Sequence, residues 1–287
     1  MKYNFVREEA KTHAVELLCK LMEVSRSGYY AWIDRPVSQA AQTHERLIPK
    51  IQRIFKDNQE VYGYRRMTDA LKDEKESCGH YQVARLMRKL DLSPLIKRRF
   101  KTTTDSNHDK PVFKNVLNRE FKPEQSNKAW VSDITYISTN QGWLYLAAVM
   151  DLYSRTIVGW AMDKQMTEDL VMNALNMAVT HRTITPGLMI HSDRGSQYAS
   201  NAYQRLLKEK GLICSMSRKG NCWDNAPMES FFKTLKVECL YRKTLKTREQ
   251  TKAIVFNYIE VFYNRRRKHS SLNYLSPMNY ELAHANL

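Results

Sequence analysis

The sequence predicts an α/β domain built on a mixed sheet and preceded by small all-helical modules. Up to about residue 92, apolar residues recur at spacings of three and four, which is typical of amphipathic helices. From Ala129 onward the pattern changes to short β-rich runs that later alternate with helical ones. The 287 residues include 46 Lys and Arg against 30 Asp and Glu, a formal net charge of +16. This excess of positive charge indicates an anionic partner, and nucleic acid is the leading choice.

The composition argues against several other classes of protein. No uncharged apolar run approaches the roughly 18 residues that a membrane-spanning helix needs, and the N-terminus lacks the apolar region of a signal peptide. We therefore expect a cytoplasmic protein with no membrane partner. The five cysteines are odd in number and form no C-x-x-C pair, so neither a zinc site nor a disulfide framework is indicated.

The first module, residues 1–40, reads as short helices with a helix-turn-helix outline. Ser25 is the predicted N-cap of its second helix, and Arg26 stands at the exposed start, where such helices meet a DNA major groove. Glycine is unfavourable inside a helix, so Gly28 weakens this interpretation. The alternative is a plain helical hairpin in which the aromatic residues that follow Gly28 belong to the core.

The second module, residues 41–101, shows three amphipathic helical runs and ends in a basic stretch. Seven basic residues and one acid lie between Arg85 and Lys101, which suits a DNA-contacting segment, although a solvated charge run is the alternative. The predicted DNA contacts of this module are Arg65, Arg66, Lys97, Arg98 and Arg99. Residues 102–126 are polar and aperiodic, so they are predicted to be a linker.

Residues 127–245 form the predicted α/β domain. Three β-rich runs (AWVSDITYI, WLYLAAVMDL and RTIVGWAM) are separated by short turns, as in an antiparallel meander. There follow a helix that starts near Thr167, the strand LMIHS, a helix closed by Gly211, the strand LICSMS and a helix that opens at Pro227. Three strands, helix, strand, helix, strand, helix is the ribonuclease-H-like order, with the mixed sheet flanked by helices.

Three acids fall where this order lets them converge. Asp133 lies inside the first strand, Asp193 just past the fourth, and Glu229 in the first turn of a later helix, with 59 and 35 residues in the two intervals. A charge within an otherwise apolar strand is costly unless it is paired or binds a cation. Carboxylate ligands select hard ions such as Mg²⁺ or Mn²⁺, and two such ions can promote an in-line phosphoryl transfer. The alternative is that each acid has a separate structural role.

Cations surround the predicted catalytic centre. Lys233 and Lys236 share the helix face of Glu229, and Lys236 lies nearly in line with it, two turns later. The loop before this helix offers Arg218, Lys219 and Asn225 to DNA. We predict that all five contact the phosphate backbone; solvated surface charges are the alternative for the two lysines.

The last segment, residues 246–287, begins with a long helix whose apolar side packs inward. The basic cluster that follows is predicted to contact phosphate and contains Arg265, Arg266, Arg267 and Lys268. Cations near a helix C-terminus are also favoured by the helix dipole, so part of the cluster could serve only that purpose.

The segments WVSDITYI, HSDRGSQYAS, SRKGNCWDNAPMESFFKTLK and FYNRRRKHSSLNYLSP resemble the catalytic protein of bacterial insertion sequences of the insertion-sequence-three family, relatives of retroviral integrases. The similarity covers nearly the whole chain and includes the family's two aspartates and glutamate, with a basic residue, Lys236, seven positions after the glutamate. The resemblance implies metal-dependent 3′-end cleavage, then attack by the freed 3′ hydroxyl on target DNA, with two divalent ions per active site.

The resemblance also implies partners. This reading frame would be the downstream half of a longer protein fused by ribosomal frameshifting, and the upstream half would bring a helix-turn-helix and a leucine zipper. The chain would act on terminal-repeat and target DNA, as a homo-oligomer. No long heptad run and no His/Cys zinc module is present in the sequence.

Three other functions remain open from the residues alone. A hydrolytic nuclease of the same fold would share the first chemical step. A tyrosine recombinase would use a nucleophile such as Tyr258 or Tyr263. A non-catalytic regulator would bind DNA without cutting it.

Overall fold

The computed structural model describes residues 1–94, 112–219 and 221–285, and the Cys222 side chain is not described. The predicted DNA contacts Lys97, Arg98 and Arg99 and the first part of the predicted linker lie outside these ranges. The chain divides into two compact units, residues 1–53 and 54–287. The finer domain boundaries expected from the sequence stay predictions.

The first unit is helical. Its helices are α1 (Lys2–Glu9), α2 (Val15–Leu21), α3 (Arg26–Ile33) and most of α4 (Gln39–Asp57). Ser25 caps α3 as predicted, because its Oγ accepts the backbone N–H of Gly28 at 3.0 Å. A Cβ at Gly28 would lie 2.5 Å from the Tyr3 hydroxyl, so close packing explains a glycine inside this helix. Of the aromatic residues that follow, Tyr29 is buried and Tyr30 is exposed.

The second unit begins with helical structure and continues into a five-stranded sheet. After the end of α4 come α5 (Tyr64–Asp73) and α6 (His80–Lys89), which pack on each other through buried apolar side chains. The strands are β1 (Ala129–Thr139), β2 (Gly142–Asp151), β3 (Ile157–Asp163), β4 (Met189–Ser192) and β5 (Ile213–Met216).

The sheet has the strand order β3-β2-β1-β4-β5. β1 pairs antiparallel with β2, and β2 with β3, whereas β4 runs parallel to β1 and β5 parallel to β4. The predicted ribonuclease-H-like mixed sheet is therefore confirmed. Gly142 takes a positive φ of 97° at the tight turn between β1 and β2, a conformation that costs glycine little.

Helices flank the sheet and complete the second unit. They are α7 (Glu168–His181), α8 (Asn201–Glu209), α9 (Ala226–Leu235), α10 (Arg248–Phe256) and α11 (Pro277–His284). One apolar core unites α7 and α8 with residues of β1, β2 and β3 such as Trp130, Val149 and Val158. The helices α9 and α10 each continue into a π-helical segment, Lys236–Leu240 and Asn257–Tyr263 respectively. The helix α11 was not expected from the sequence pattern.

Two helix ends refine the sequence prediction. Thr167 precedes α7 as expected, but its side chain makes no capping hydrogen bond. Gly211 follows α8 with a φ of 67°, as a helix-terminating glycine should. Within the described ranges, none of the helices combines the length and the apolar character that crossing a membrane would require.

Candidate active site

The register of two parallel strands places the first two predicted acids side by side. β1 pairs with β4 so that Trp130 lies opposite Ile190 and Val131 opposite His191. Extending this register by two residues puts Asp133 opposite Asp193, which directly follows β4. Paired strands lie about 4.8 Å apart, so the two carboxylates leave neighbouring points of the backbone. Asp133 and Asp193 are thus separated in the sequence by the same offset as the residues that pair between β1 and β4.

The third acid approaches from a helix. Glu229 lies in the first turn of α9, as predicted, and α9 packs against β1. Burial raises the pKa of Asp133 well above its usual value, and the negative charges of Asp193 and Glu229 raise it further. Burial also raises the pKa of Glu229. The charges of Asp193 and Glu229 thus act on Asp133 and disfavour its ionised form in the absence of a cation.

Backbone groups orient the two aspartates. The N–H of Ile134 donates to Asp133 Oδ1 at 2.8 Å, and the N–H of Gly195 donates to Asp193 Oδ1 at 2.9 Å. A Cβ at position 195 would lie 3.0 Å from that same oxygen of Asp193. Glycine thus lets the chain turn tightly around the Asp193 carboxylate.

Lys236 lies beside Asp133. Its Nζ is 4.8 Å from the centre of the Tyr136 ring, a cation–π distance. Burial lowers the pKa of Lys236, and the charge of Asp133 opposes that change. This cation is therefore placed next to the acidic centre, as expected from its position on the helix.

The donor set fits a hard divalent cation. Carboxylate oxygens are the ligands that Mg²⁺ and Mn²⁺ prefer. Asn225, one residue before α9, adds a buried Oδ1 that has no hydrogen-bond partner among the residues that the structure describes. Over the residues that the structure describes, however, no three His, Cys, Asp or Glu side chains already stand at metal-ligand spacing. Metal binding by Asp133, Asp193 and Glu229 therefore stays a prediction, and closing the site would require side-chain movement.

Asp224 anchors the loop before α9, and the sequence analysis missed it. Its fully buried carboxylate accepts hydrogen bonds from the Arg218 backbone N–H and guanidinium at 2.6–2.9 Å, from Arg119 Nε at 2.8 Å and from Asn115 Nδ2 at 2.9 Å. The hydrogen bonds from Arg218 hold the pKa of Asp224 far below its usual value. Asp224 thereby ties this loop to the segment that contains Asn115 and Arg119.

A buried histidine lies two residues before Asp193. His191 contacts the hydroxyls of Ser215 and Ser217 through Nδ1 at 2.8 Å and Nε2 at 3.1 Å. Burial lowers its pKa to about 4, so the ring is neutral at pH 7. His191 thus links β4 to Ser215 in β5 and to Ser217 just after β5, close to Asp193.

Three predicted DNA contacts are corrected by the structure. Arg267 is only 5% exposed, and its guanidinium binds both carboxylate oxygens of Glu238 at 2.7 and 2.8 Å. Lys268 Nζ lies 2.6 Å from carboxylate oxygens of both Asp69 and Asp73. Asn225 is buried, and its Nδ2 donates to the Ser132 carbonyl oxygen at 3.2 Å. These side chains are committed to contacts inside the protein.

The other described cations of the predicted DNA-binding set reach the surface to different degrees. Arg26 pairs with Glu16 at 3.1 Å, Arg218 with Asp224, and Arg66 with Glu238 at 3.4 Å. The exposed cations of the set are Arg26, Arg65, Arg218, Lys219, Lys233, Arg265 and Arg266.

The tyrosines considered as nucleophiles are enclosed. Tyr258 and Tyr263 are 1% and 2% exposed, and the Tyr258 hydroxyl donates to Glu238 at 2.8 Å. Burial raises the pKa of Tyr263 to about 12 and that of Tyr258 well above its usual value. Both side chains are enclosed and their hydroxyls stay protonated near pH 7, which argues against a tyrosine recombinase.

Comparisons with known proteins agree with this architecture. Models of an integrase core domain match residues 123–222 and 229–284, and a model of an HTH-like domain matches residues 43–100. An uncharacterized 31 kDa protein of insertion element IS600 from Shigella sonnei is 45% identical over 260 residues, which cover 91% of this chain and 96% of that protein. Transposase InsF for insertion sequence IS3A from Escherichia coli (strain K12) is 39% identical over 283 residues, 98% of each chain. A solved simian T-cell lymphotropic virus intasome contains a chain that is 18% identical, with a TM-score of 0.47, covering 72% of this chain and 71% of that one.

Proposed function

Because the chain belongs to the IS3 family of insertion-sequence transposases, it is a DNA transposase, and we propose that Asp133, Asp193 and Glu229 perform its chemistry. The proposed reaction is cleavage at the 3′ ends of the element followed by strand transfer, both by direct phosphoryl transfer. The observation that carries this proposal is the β1–β4 register, which sets Asp133 opposite Asp193 at the edge where α9 presents Glu229.

The three carboxylates would hold two Mg²⁺ or Mn²⁺ ions. When bound, such ions lower the barrier by activating the attacking oxygen and stabilising the leaving one. The Gly195 N–H donates to Oδ1 of Asp193 and so orients this carboxylate for a ligand role. The same holds for Asp133, whose Oδ1 accepts the N–H of Ile134.

Phosphoryl transfer asks the protein mainly for positioning and charge stabilisation. In the first step a water oxygen forms a bond to the phosphorus at the transposon end, and the bond to the 3′ oxygen breaks, leaving a free 3′ hydroxyl. In the second step that hydroxyl attacks a target phosphate, and the target's own 3′ oxygen leaves. No covalent intermediate with the protein is needed. Lys236, next to Asp133, would contact the phosphate beside the bond that is cut.

The expected partners follow from the same chemistry. The exposed cations Lys219, Lys233, Arg265 and Arg266 would contact the backbone of terminal-repeat and target DNA. We further propose that the chain acts as a homo-oligomer on DNA, together with or fused to an upstream-frame protein that contributes recognition of the terminal repeats.

The test is a cleavage and joining assay on labelled transposon-end DNA with a supercoiled target plasmid and Mg²⁺, with and without the upstream-frame protein. We expect Glu229→Gln to abolish both 3′-end cleavage and strand transfer while DNA binding is retained. Glu249→Gln is the matched control, because Glu249 is exposed on α10 and its ion pair in the described part of the chain is with a neighbouring lysine, Lys252, at 2.8 Å. An active Glu229→Gln protein would refute the site. Cleavage without joined product would instead support a nuclease, and binding without cleavage a regulator.

A further inference from the structure

A cavity of about 810 Å³ lies next to α9 on the second unit, apart from the three carboxylates. Its walls come from the start of α5, the α9 helix, the Arg155 turn between β2 and β3, and the segment after the second π-helical stretch. This volume falls within the range of roughly 300–1,000 Å³ found for ligand pockets. Neither the proposed chemistry nor the matches to known families assigns it a role.

The cavity lining is strongly basic and partly aromatic. Five cations and one carboxylate, that of Glu238, line the cavity. Two of the five cations, Arg66 and Arg267, form ion pairs with Glu238. The remaining cations of the lining are Arg65, Arg155 and Lys233, and its aromatic side chains include Tyr64, Phe121, Phe231, Tyr263 and Tyr274. A basic lining with aromatic rings is typical of sites that bind single-stranded nucleic acid, because phosphates meet the cations and bases stack on the rings.

Arg155 is the clearest sign of a built anion site. It is partly buried, and within the described ranges its side chain makes one hydrogen bond, from a terminal nitrogen to the Phe121 carbonyl oxygen at 2.8 Å. It forms no ion pair with any residue in the described ranges. Burial lowers the pKa of Arg155, so an anion in the cavity would relieve an unfavourable charge. A guanidinium has five N–H donors, which leaves Arg155 donors to spare for a phosphate.

The lining also contains an aromatic and cationic cluster formed by Tyr64, Arg65 and Tyr274. Arg65 Nε donates to the Tyr64 hydroxyl at 3.2 Å, and its guanidinium lies 5.8 Å from the centre of the Tyr64 ring. Arg65 also interacts with Tyr274, whose backbone φ is 61°, directly after Asn273 at 52°. Positive φ is uncommon for a bulky residue, and such strained positions cluster at ligand-binding sites. Arg155 also has a positive φ, of 62°.

We infer that this cavity binds an unpaired nucleotide of the DNA substrate, with its phosphate at Arg155 and Lys233 and its base against Tyr64 and Tyr274. The position along α9 favours DNA over other anions. Lys233 lies four residues after Glu229, a rise of about 6 Å along the helix, so a strand held at the carboxylates can extend into the cavity. The inference rests on the proposed active site only for the path of the strand from the three carboxylates into the cavity. Binding of the nucleotide itself requires no catalysis.

Binding is measured with the full-length chain in the inactive Glu229→Gln background, without metal, by fluorescence anisotropy. The probes are a labelled single-stranded oligothymidylate and a blunt duplex of the same length. We expect Tyr274→Ala and Arg65→Gln each to weaken binding of the single strand by about tenfold, the scale of one lost base stack. Arg205→Gln, which removes an exposed cation of α8 outside the cavity, is the matched control for charge. Both cavity variants should bind the duplex as the control does.

Arg65 is exposed, so its replacement should not affect folding. Comparing Arg155→Lys, which keeps the positive charge, with Arg155→Gln, which removes it, separates the effect of charge on binding from the effect of side-chain shape. A photoreactive thymidine analogue in the single strand should cross-link to Tyr64 or Tyr274. The inference is overturned if the cavity variants and Arg205→Gln bind the single strand within twofold of each other, or if the cross-link maps elsewhere. It is also overturned if a polyglutamate peptide competes as well as the oligonucleotide, because the cavity would then attract any polyanion. A negative result in this binding test does not affect the result of the cleavage assay. If the cleavage assay shows no activity, the binding test can still be interpreted.

Discussion

The carboxylate of Glu238, in the first π-helical segment, connects α5 and the second π-helical segment. Removing its charge should lower the stability of the second unit by an amount that can be calculated. Arg267 binds the carboxylate through two nitrogens, the Tyr258 hydroxyl donates to it at 2.8 Å, and Arg66 approaches to 3.4 Å. Burial pushes the pKa of Glu238 up, but the charges of Arg267 and Arg66 and the hydrogen bonds from Arg267 and Tyr258 together outweigh that effect, so the pKa lies below its usual value. Glu238→Gln keeps the size of the side chain and leaves the enclosed Arg267 without a counter-charge.

Removing one partner of a buried ion pair costs about 3–5 kcal/mol. For a unit of this size, 1 kcal/mol corresponds to roughly 2–4 °C in Tm, so Glu238→Gln should lower Tm by roughly 6–20 °C. Thermal unfolding followed by circular dichroism at pH 7 measures this change. Glu249→Gln, which breaks an exposed pair, should alter stability by less than about 1 kcal/mol. If Glu238→Gln unfolds within about 2 °C of the wild type, the magnitude assigned to the buried pair is wrong.

The same pair makes a pH prediction and tests the correction to Arg267. Because the folded-state pKa of Glu238 is lowered, its stabilising contribution is present above the ordinary glutamate pKa of about 4.3 and is lost as pH falls through the lowered value. The stability gap between wild type and Glu238→Gln should therefore shrink in acid. Arg267→Gln should lower Tm without changing the salt dependence of DNA binding, whereas Arg265→Gln should reduce that slope by about one unit.

Three further variants probe the active site. In the absence of metal, the Tm of Asp133→Asn should rise relative to that of the wild type as pH rises. Because the folded-state pKa of Asp133 is raised, its contribution to stability is present below the ordinary aspartate pKa and is lost as pH rises through the raised pKa. A pH series of thermal melts in EDTA measures the difference in Tm. Gly195→Ala places a Cβ 3.0 Å from Asp193 Oδ1, so it should cut the cleavage rate at least about tenfold while DNA affinity measured by anisotropy is unchanged; an unchanged rate would show that the contact is relieved at no cost. Asp224→Asn weakens hydrogen bonds from Arg218 and Arg119 that are worth about 1.5–3 kcal/mol each when charged, so limited proteolysis should cut the loop before α9 faster than in wild type, and equal rates would refute the anchoring role.

Features that depend on local sequence pattern were predictable. The strands around Asp133 and before Asp193, the helix start at Glu229 and the Ser25 cap all follow from apolar alternation and capping chemistry within a few residues. The sheet order then follows, because short turns force a meander and the helical crossovers allow parallel strands.

Features that depend on pairing between distant residues were not predictable. Asp224 looks like an ordinary loop acid until the fold brings Arg119 to it from more than a hundred residues away. Arg267 belongs to a run of four basic residues, and nothing local separates it from Arg265 and Arg266, which remain exposed. The helical turn directs Arg267 alone toward Glu238, and only the tertiary structure reveals which cation is buried. Such partners carry no periodic signal.

The most direct test of the central claim is to locate the metal. Crystals of the chain bound to transposon-end DNA with Mn²⁺ would give anomalous difference density at each ion. The account predicts peaks within ligand distance of carboxylate oxygens of Asp133 and Asp193, with Glu229 drawn in to complete the site. Mn²⁺ bound away from these three side chains, next to an otherwise cleavable DNA end, would contradict it.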